Sequence, residues 1–252
     1  MTNQEILHIA MGQSAIDAAC QAEDFCRTEN KVVLSKEHPD ARKNFVRPPF
    51  FCSLISYGNN VIASADACLV DAVAEYIRDV PFYRCFETPY LYKLAALLRP
   101  YNMEIGFTRE AFLPDADLLH PLPCPYPMKV LTTSDFAHLY MPPWSDNALC
   151  KDFAHLDVLA VGAYDGDRLI GLAGCSADCD TMWQIGIDVL PGYRRRGIAS
   201  ALTSTLAGEV LQRGTVPYSC RVWSNIPSVR NALRSGFYPA WIELSAKEKR
   251  RA

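Results

Sequence analysis

The chain has 252 residues and a formal net charge of −3; half of its residues are apolar and 21% are charged. This length fits one large domain or two modest ones, and the composition is typical of a soluble globular protein. No uninterrupted apolar run reaches about 18 residues, which predicts that no helix spans a membrane. The weakly negative charge and the absence of a basic segment at the N-terminus favour a cytoplasmic protein that binds neither nucleic acid nor membrane.

The ten cysteines are scattered along the chain and do not form a paired framework. We therefore expect reduced, mostly buried thiols. Cys175 and Cys179 are the most closely spaced candidates for metal ligands, but no second Cys/His pair with suitable spacing accompanies them. The sequence predicts no metal site.

The first 112 residues predict a small α/β domain of unknown role. A hairpin is expected over 50–63, turning at Gly58, Asn59 and Asn60, because these residues tolerate positive φ angles. A further strand is expected over 103–112. Apolar residues at spacings of three and four predict three helices, at 4–25, 65–78 and 89–98.

The proline-rich segment 113–127 predicts an interdomain linker, followed by a second domain over 128–252. An Asp-Gly-Asp sequence at 165–167 indicates a hairpin between two apolar strands. Strands are predicted at 128–131, 156–164, 168–175, 182–190, 217–223 and 237–244. Helices are predicted at 132–140, 200–213 and 227–235.

The most informative segment is the loop between the strand 182–190 and the helix 200–213. It reads Pro-Gly-Tyr-Arg-Arg-Arg-Gly-Ile-Ala. A helix N-terminus presents unpaired amides and partial positive charge, so phosphate is its natural ligand. Gly197 allows close backbone approach, and the arginines add charge. Neither a P-loop nor a GxGxxG dinucleotide fingerprint is present.

This loop resembles the acyl-CoA loop of the GNAT N-acetyltransferase superfamily, which has the pattern Arg or Gln, two residues, Gly, one residue, Gly or Ala. Here the pattern is Arg194, Gly197 and Ala199, and a second family motif follows as Asn225, Ser228 and the pair Gly236–Phe237. The resemblance covers roughly 129–243. It implies an α/β GNAT acyl-CoA fold with a mixed sheet, preceded by the smaller N-terminal domain.

The resemblance further implies that acetyl-CoA lies between the strand ending at Val189 and the strand ending near Trp223. The amide of Val189 would face the thioester carbonyl. Loop amides would hold the diphosphate, and two residues of the second motif would contact the cofactor from the other side. The implied cofactor-binding residues are Asp188, Val189, Arg194, Arg195, Arg196, Gly197, Ile198, Ala199, Asn225 and Ser228.

The sequence departs from the family at the positions that usually supply the acid and the base. Many relatives have a tyrosine where this chain has Ala232, and some have Glu or His where it has Trp183 and Ile185. The remaining catalytic candidates are Asp178, Asp180 and Ser224. Tyr218 and Cys220 are further candidates for the missing acid, and the aromatic residues Tyr140, Trp144 and Trp183 could line an acceptor pocket.

Simpler structural roles remain open for several of these residues. Asn225 could cap a helix, Gly236 could end one, and Asp178 and Asp180 could belong to a solvated turn. We expect an acetyl-CoA-dependent N-acetyltransferase acting on an amine of a small molecule or peptide. A non-catalytic acyl-CoA sensor is the main alternative, and a two-lobed transferase using aminoacyl-tRNA is disfavoured by the negative charge.

Overall fold

The computed structural model describes residues 1–43, 46–78 and 80–249. Its helices are α1 (Asn3–Ala18), α2 (Val70–Arg78), α3 (Tyr90–Leu98), α4 (Thr133–Phe136), α5 (Ile198–Gln212) and α6 (Ile226–Arg234). Its strands are β1 (Lys31–Leu34), β2 (Cys52–Ser56), β3 (Ile62–Ala65), β4 (Met103–Pro114), β5 (Met128–Leu131), β6 (Asp157–Asp165), β7 (Arg168–Ser176), β8 (Met182–Val189), β9 (Val216–Arg221) and β10 (Phe237–Glu248). No helix among these residues is long and apolar enough to cross a membrane.

The chain divides into two compact units. The larger unit comprises Met1–Ile9 and Phe112–Pro239, and the smaller unit comprises Ala10–Ala111 and the residues from Ala240 onward. The segment 113–127, predicted as a linker, lies inside the larger unit, where the Leu122 amide donates to Ser204 Oγ at 3.0 Å. This division differs from the predicted boundaries at 112 and 128. The first nine residues belong to the larger unit, and the residues from Ala240 onward belong to the smaller one.

The larger unit contains a sheet with strand order β9-β8-β7-β6-β5, antiparallel except for the parallel pair β8 and β9. Helix α5 covers one face. A Cβ added to Gly171 of β7 would lie 3.0 Å from the side chains of Ile198 and Leu202, so glycine permits this close packing. The core under α5 is formed by buried aliphatic side chains from β6, β7 and β8.

The opposite face of this sheet is covered by the segment that follows α4. Gly174 of β7 and Gly186 of β8 are direct cross-strand partners. A Cβ at either position would collide with the carbonyl oxygen of Ala148 or of Asn147, respectively. The absence of two side chains therefore lets the backbone of 147–148 lie directly on the sheet.

The smaller unit is built on the β2–β3 hairpin. Strand β1 pairs parallel with β3, and β10 pairs antiparallel with β2. Helices α2 and α3 bury their apolar faces against these strands; Val73, Leu94 and Leu98 are fully buried. The sequence predicted both helices, because apolar residues at spacings of three and four form one stripe along a helix, and this stripe is buried against the core.

The predicted mixed α/β fold class is confirmed, and most elements differ from the sequence prediction only at their ends. The predicted helix 132–140 is reduced to α4, which Thr132 and Asp135 begin with a reciprocal capping box. Strand β1 was not predicted, because four residues are too short to show a period. Helix α5 begins at Ile198, two residues before the prediction.

Candidate functional site

Strands β8 and β9 separate part of the way along their length. Met182, Trp183 and Gln184 pair with Val216, Pro217 and Tyr218. Beyond Gln184 the register between the two strands contains no further pair of described residues, although β8 continues to Val189 and remains paired with β7 throughout. The second half of β8 therefore has an open backbone edge.

The register shows which backbone groups point toward this opening. Leu190 N–H donates to Ile170 O on the β7 side, and Val216 N–H of β9 donates to Thr181 O. Because backbone groups alternate in direction along a strand, the amides of Ile185, Ile187 and Val189 point away from β7, into the opening. The predicted direction of the Val189 amide is consistent with this register.

The loop that follows β8 contains two residues with positive φ angles, Arg195 at 65° and Gly197 at 83°. Gly197 is the N-cap of α5 and provides no side-chain cap, so the first-turn amides of the helix have no intrahelical acceptor. Left-handed residues in such a turn orient successive N–H groups into a concave anion-binding surface. An arginine with positive φ costs about 1 kcal/mol or more, a strain typical of functional loops.

The three arginines of the loop have different environments. Arg194 Nε donates to Val189 O at 3.0 Å, so this guanidinium is bound to the end of β8. Arg196 Nη1 donates to the Tyr126 hydroxyl at 2.7 Å. Among the described residues, Arg195 has neither a hydrogen-bonded side-chain partner nor an ion pair. The charge predicted for a diphosphate is therefore most readily available from Arg195.

Backbone amides, rather than side chains, are what Ile198 and Ala199 offer a ligand. The Ile198 side chain is buried in the core under α5. At Gly197 an added Cβ would meet only Arg234 Nη2, at 3.9 Å, so the space above the N-cap is open. The loop thus combines free amides, an exposed cation and room for an anion, as phosphate binding requires.

Helix α6 begins at Asn225, whose side-chain oxygen accepts from the Ser228 amide at 3.3 Å. This confirms the capping interpretation of Asn225. Contacts of Asn225 and Ser228 with a cofactor stay predictions. The position where many GNAT relatives have a tyrosine is Ala232 in this chain, which has no ionisable group. Ala232 is completely buried in the core.

Asp188, whose predicted contact with a cofactor stays a prediction, binds the segment 147–148 that covers one face of the sheet. Its carboxylate accepts from the Asn147 amide at 2.9 Å, from Asn147 Nδ2 at 2.8 Å and from the Ala148 amide at 2.7 Å. This carboxylate is on the face opposite α5, because its position on β8 alternates with that of Val189. Asp188 thereby fixes the segment 147–148 beside the open edge of β8.

The three predicted catalytic residues lie in different environments, and their catalytic roles stay predictions. Asp178 is almost fully buried, and its oxygens accept from Ser176 Oγ at 2.9 Å and from the Tyr218 hydroxyl at 2.6 Å, so it is not in a solvated turn. Asp180 is exposed in the β7–β8 connection. Ser224 is exposed after β9, and its carbonyl accepts from the Ile226 amide.

The predicted aromatic acceptor pocket is not supported by Trp144. This side chain is nearly fully buried in the core under the covering segment, together with Phe136 and Leu149. Tyr140 packs against the same core, and Trp183 packs against the core under α5. All three aromatic side chains therefore contribute to packing.

Sequence reasoning missed Asp157, the first residue of β6. The Asp157 carboxylate accepts from the Cys150 amide at 3.0 Å. Burial, with a contribution from nearby Asp178, raises the pKa of Asp157 to about 6. Because one aspartate before an apolar strand has no distinguishing pattern, only the fold shows that it is buried.

Residues 124–237 match the acetyltransferase (GNAT) family, so this part of the chain is a GNAT-family domain. No curated protein matches the sequence significantly. A GNAT-family acetyltransferase structure from Novosphingobium aromaticivorans is 17% identical, with 57% of this chain and 66% of that chain covered and a TM-score of 0.46. One from Colwellia psychrerythraea is 15% identical, with coverage of 63% and 62% and a TM-score of 0.45. The chain thus covers slightly less than two thirds of each.

A Drosophila protein of known structure is similar over most of its length. It is 13% identical, with 98% of this chain and 91% of that chain covered, at a TM-score of 0.47.

Proposed function

We propose that the protein transfers an acetyl group from acetyl-CoA to a primary amine of a small molecule or peptide, by direct attack in a ternary complex. The observation that carries this proposal is the open edge of β8, which leads directly into the uncapped N-terminus of α5. An extended ligand arm with a phosphate group at one end matches this arrangement of a strand edge followed by an anion site.

The residues present fit such a co-substrate. The amides of the 195–199 segment and the Arg195 side chain would hold the diphosphate. The inward-pointing amides of Ile185 and Ile187 would bind the pantetheine arm, and the Val189 amide would donate to the thioester carbonyl oxygen. Acetyl-CoA supplies the activated acyl group. The protein binds and orients it, and stabilises negative charge that develops on the oxygen.

A second candidate function is a non-catalytic acyl-CoA sensor. The observation that favours it is the fully buried Ala232, together with an Asp178 carboxylate that is engaged by two hydroxyl groups. A binding module needs the phosphate loop and the open strand edge but no acid or base. The two functions differ in turnover and share the binding site.

The first experiment is thermal unfolding with and without acetyl-CoA. A ligand at about one hundred times its dissociation constant stabilises a protein by roughly 2.7 kcal/mol. We expect Gly197→Glu to abolish this stabilisation, because its carboxylate would occupy the anion site and repel phosphate. Gly214→Glu is the matched control, since Gly214 also has a positive φ angle and open space, at the far end of α5.

If Gly197→Glu retained the acetyl-CoA-induced shift of the wild type, the assigned loop would be wrong. No shift of the wild type at millimolar acetyl-CoA would contradict the co-substrate itself. Release of free CoA thiol in the presence of a panel of primary amines then separates the enzyme from the sensor, because a sensor binds acetyl-CoA without amine-dependent release.

A further inference from the structure

Gln184 lies at the point where β8 and β9 separate. Its Oε1 atom is buried and has no hydrogen-bond partner in the part of the chain that the structure describes. Gln184 belongs to the last β8–β9 pair, opposite Tyr218. An unpartnered carboxamide oxygen therefore lies where the β8–β9 pairing ends and the opening begins, which we call the foot of the opening.

The neighbours of Gln184 explain why its oxygen has no donor. Ser176 of β7 and Tyr218 of β9 are its direct partners on the two flanking strands, so their side chains share its face. Both hydroxyl groups donate to Asp178 instead. Two residues along β8, Gly186 has no side chain, and the Asn147 carbonyl that covers it is an acceptor. No donor from these positions is available to Gln184.

A buried polar group without a partner costs about 1–3 kcal/mol in a folded protein, and each such group in a native structure calls for an explanation. A methionine, which has a similar volume, would avoid this cost. The position is consistent with an oxygen that is satisfied by a ligand. Because amide oxygen accepts hydrogen bonds, the ligand must present an N–H or O–H group there.

The position of Gln184 on one face of the sheet indicates the side from which such a ligand would approach. Gln184, Gly186 and Asp188 alternate with the residues whose side chains pack under α5, so Gln184 lies on the face covered by 147–148. The phosphate loop leads into α5, on the other face. A second substrate that meets the thioester from the face opposite α5 would pass Gln184.

We propose that Gln184 Oε1 accepts an N–H of the acceptor amine and so positions the amine at the foot of the β8–β9 opening. This inference rests on the proposed function. Gln184 binds the substrate and moves no proton.

The test is Gln184→Met, which keeps the side-chain volume and removes the unpartnered oxygen. We expect the free variant to melt about 2 °C higher, because the buried polar atom is gone. Its affinity for acetyl-CoA should be unchanged. The KM for the best amine of a panel of cationic primary amines should rise about tenfold, as expected for loss of one substrate hydrogen bond. Gln184→Glu, which restores an oxygen acceptor, should recover most of that KM.

Thr205→Val is the matched control. Thr205 Oγ1, on α5, is also a buried atom without a partner, so this variant should gain stability and leave the amine KM unchanged. An unchanged amine KM in Gln184→Met, or a large loss of its stability, overturns the role of Gln184 while leaving the acetyltransferase proposal intact. Failure of the wild type to bind or acetylate any amine overturns both, and the acetyl-CoA shift shows which part of the site remains.

Discussion

Buried carboxylates are held in different ways in the two units. In the smaller unit, Arg42 Nη1 donates to Asp17 at 2.6 Å, and Arg109 forms an ion pair with Glu243. In the larger unit, the Asp157 carboxylate accepts instead from a backbone amide. The smaller unit thus neutralises buried charge with cations, and the larger unit uses neutral donors.

This difference appears in the pKa values. Burial raises the pKa of Glu243, but Arg109 and Arg42 outweigh burial and hold it below its usual range. At Asp157 burial dominates, and the pKa rises to about 6. At Asp17 burial also exceeds the effect of Arg42, and the pKa is raised. The pKa values therefore contrast Glu243, which two arginines hold ionised, with Asp157, which has neutral donors, whereas Asp17 is raised in spite of its cation.

The largest effect is expected from breaking the ionic interior of the smaller unit. Arg42→Met leaves the buried Asp17 carboxylate without its cation, which should cost about 3–5 kcal/mol of unfolding free energy. Urea unfolding measures the loss. Arg27→Met is the control, because Arg27 is largely exposed and its ion pair with Asp24 should contribute about 1 kcal/mol or less. Equal effects of the two substitutions would contradict a structural role for the buried pair.

A smaller, pH-dependent effect is expected at Asp157. Its folded pKa lies above the ordinary aspartate value, so the folded state binds the proton more tightly, and its contribution to stability is lost as pH rises from about 4 through about 6. Asp157→Asn should remove a pH dependence on the order of 2 kcal/mol and be more stable than the wild type at pH 8. The titratable groups around Asp157 are Tyr140, Cys150, His155, Cys175 and Asp178.

Urea unfolding of both proteins at pH 5 and pH 8 measures this difference. Asp180→Asn serves as the control, because Asp180 is exposed in the β7–β8 connection. If Asp157→Asn kept the pH dependence of the wild type, another group in that surrounding set would be responsible.

The strand, turn and helix around Gly197 were predictable because this arrangement is local in sequence. A strand, an arginine-rich turn, Gly197 and a helix follow one another without interruption, and backbone geometry then fixes the positions of the amides. The same holds for β5, for which the predicted and observed limits agree. Short-range sequence patterns are sufficient to predict an element whose structure depends on residues that are close together in the chain.

The surroundings of Gln184 could not be predicted, because they arise from register between distant strands. Gln184 Oε1 has no partner among the described residues, and the hydroxyl groups of Ser176 and Tyr218, from two other strands, both donate to Asp178. The collision that makes Gly186 obligatory involves Asn147, about 40 residues earlier. Single-sequence patterns predict strand neighbours across a short turn, as at 165–167, but not the register between strands that are distant in sequence.

The smallest effect discriminates between the two roles of Asn225. Because Asn225 is the N-cap of α6, Asn225→Ala should lower the unfolding free energy of the protein by about 1 kcal/mol. Asn225→Ser should retain the cap and the stability. Thermal unfolding gives the stability of each variant, and titration calorimetry gives its affinity for acetyl-CoA. If both variants bind acetyl-CoA as the wild type does, the side chain only caps the helix. A Ser variant with wild-type stability and weakened acetyl-CoA binding would show that Asn225 also contacts the co-substrate, because the helix would be intact and only the side-chain amide would be missing.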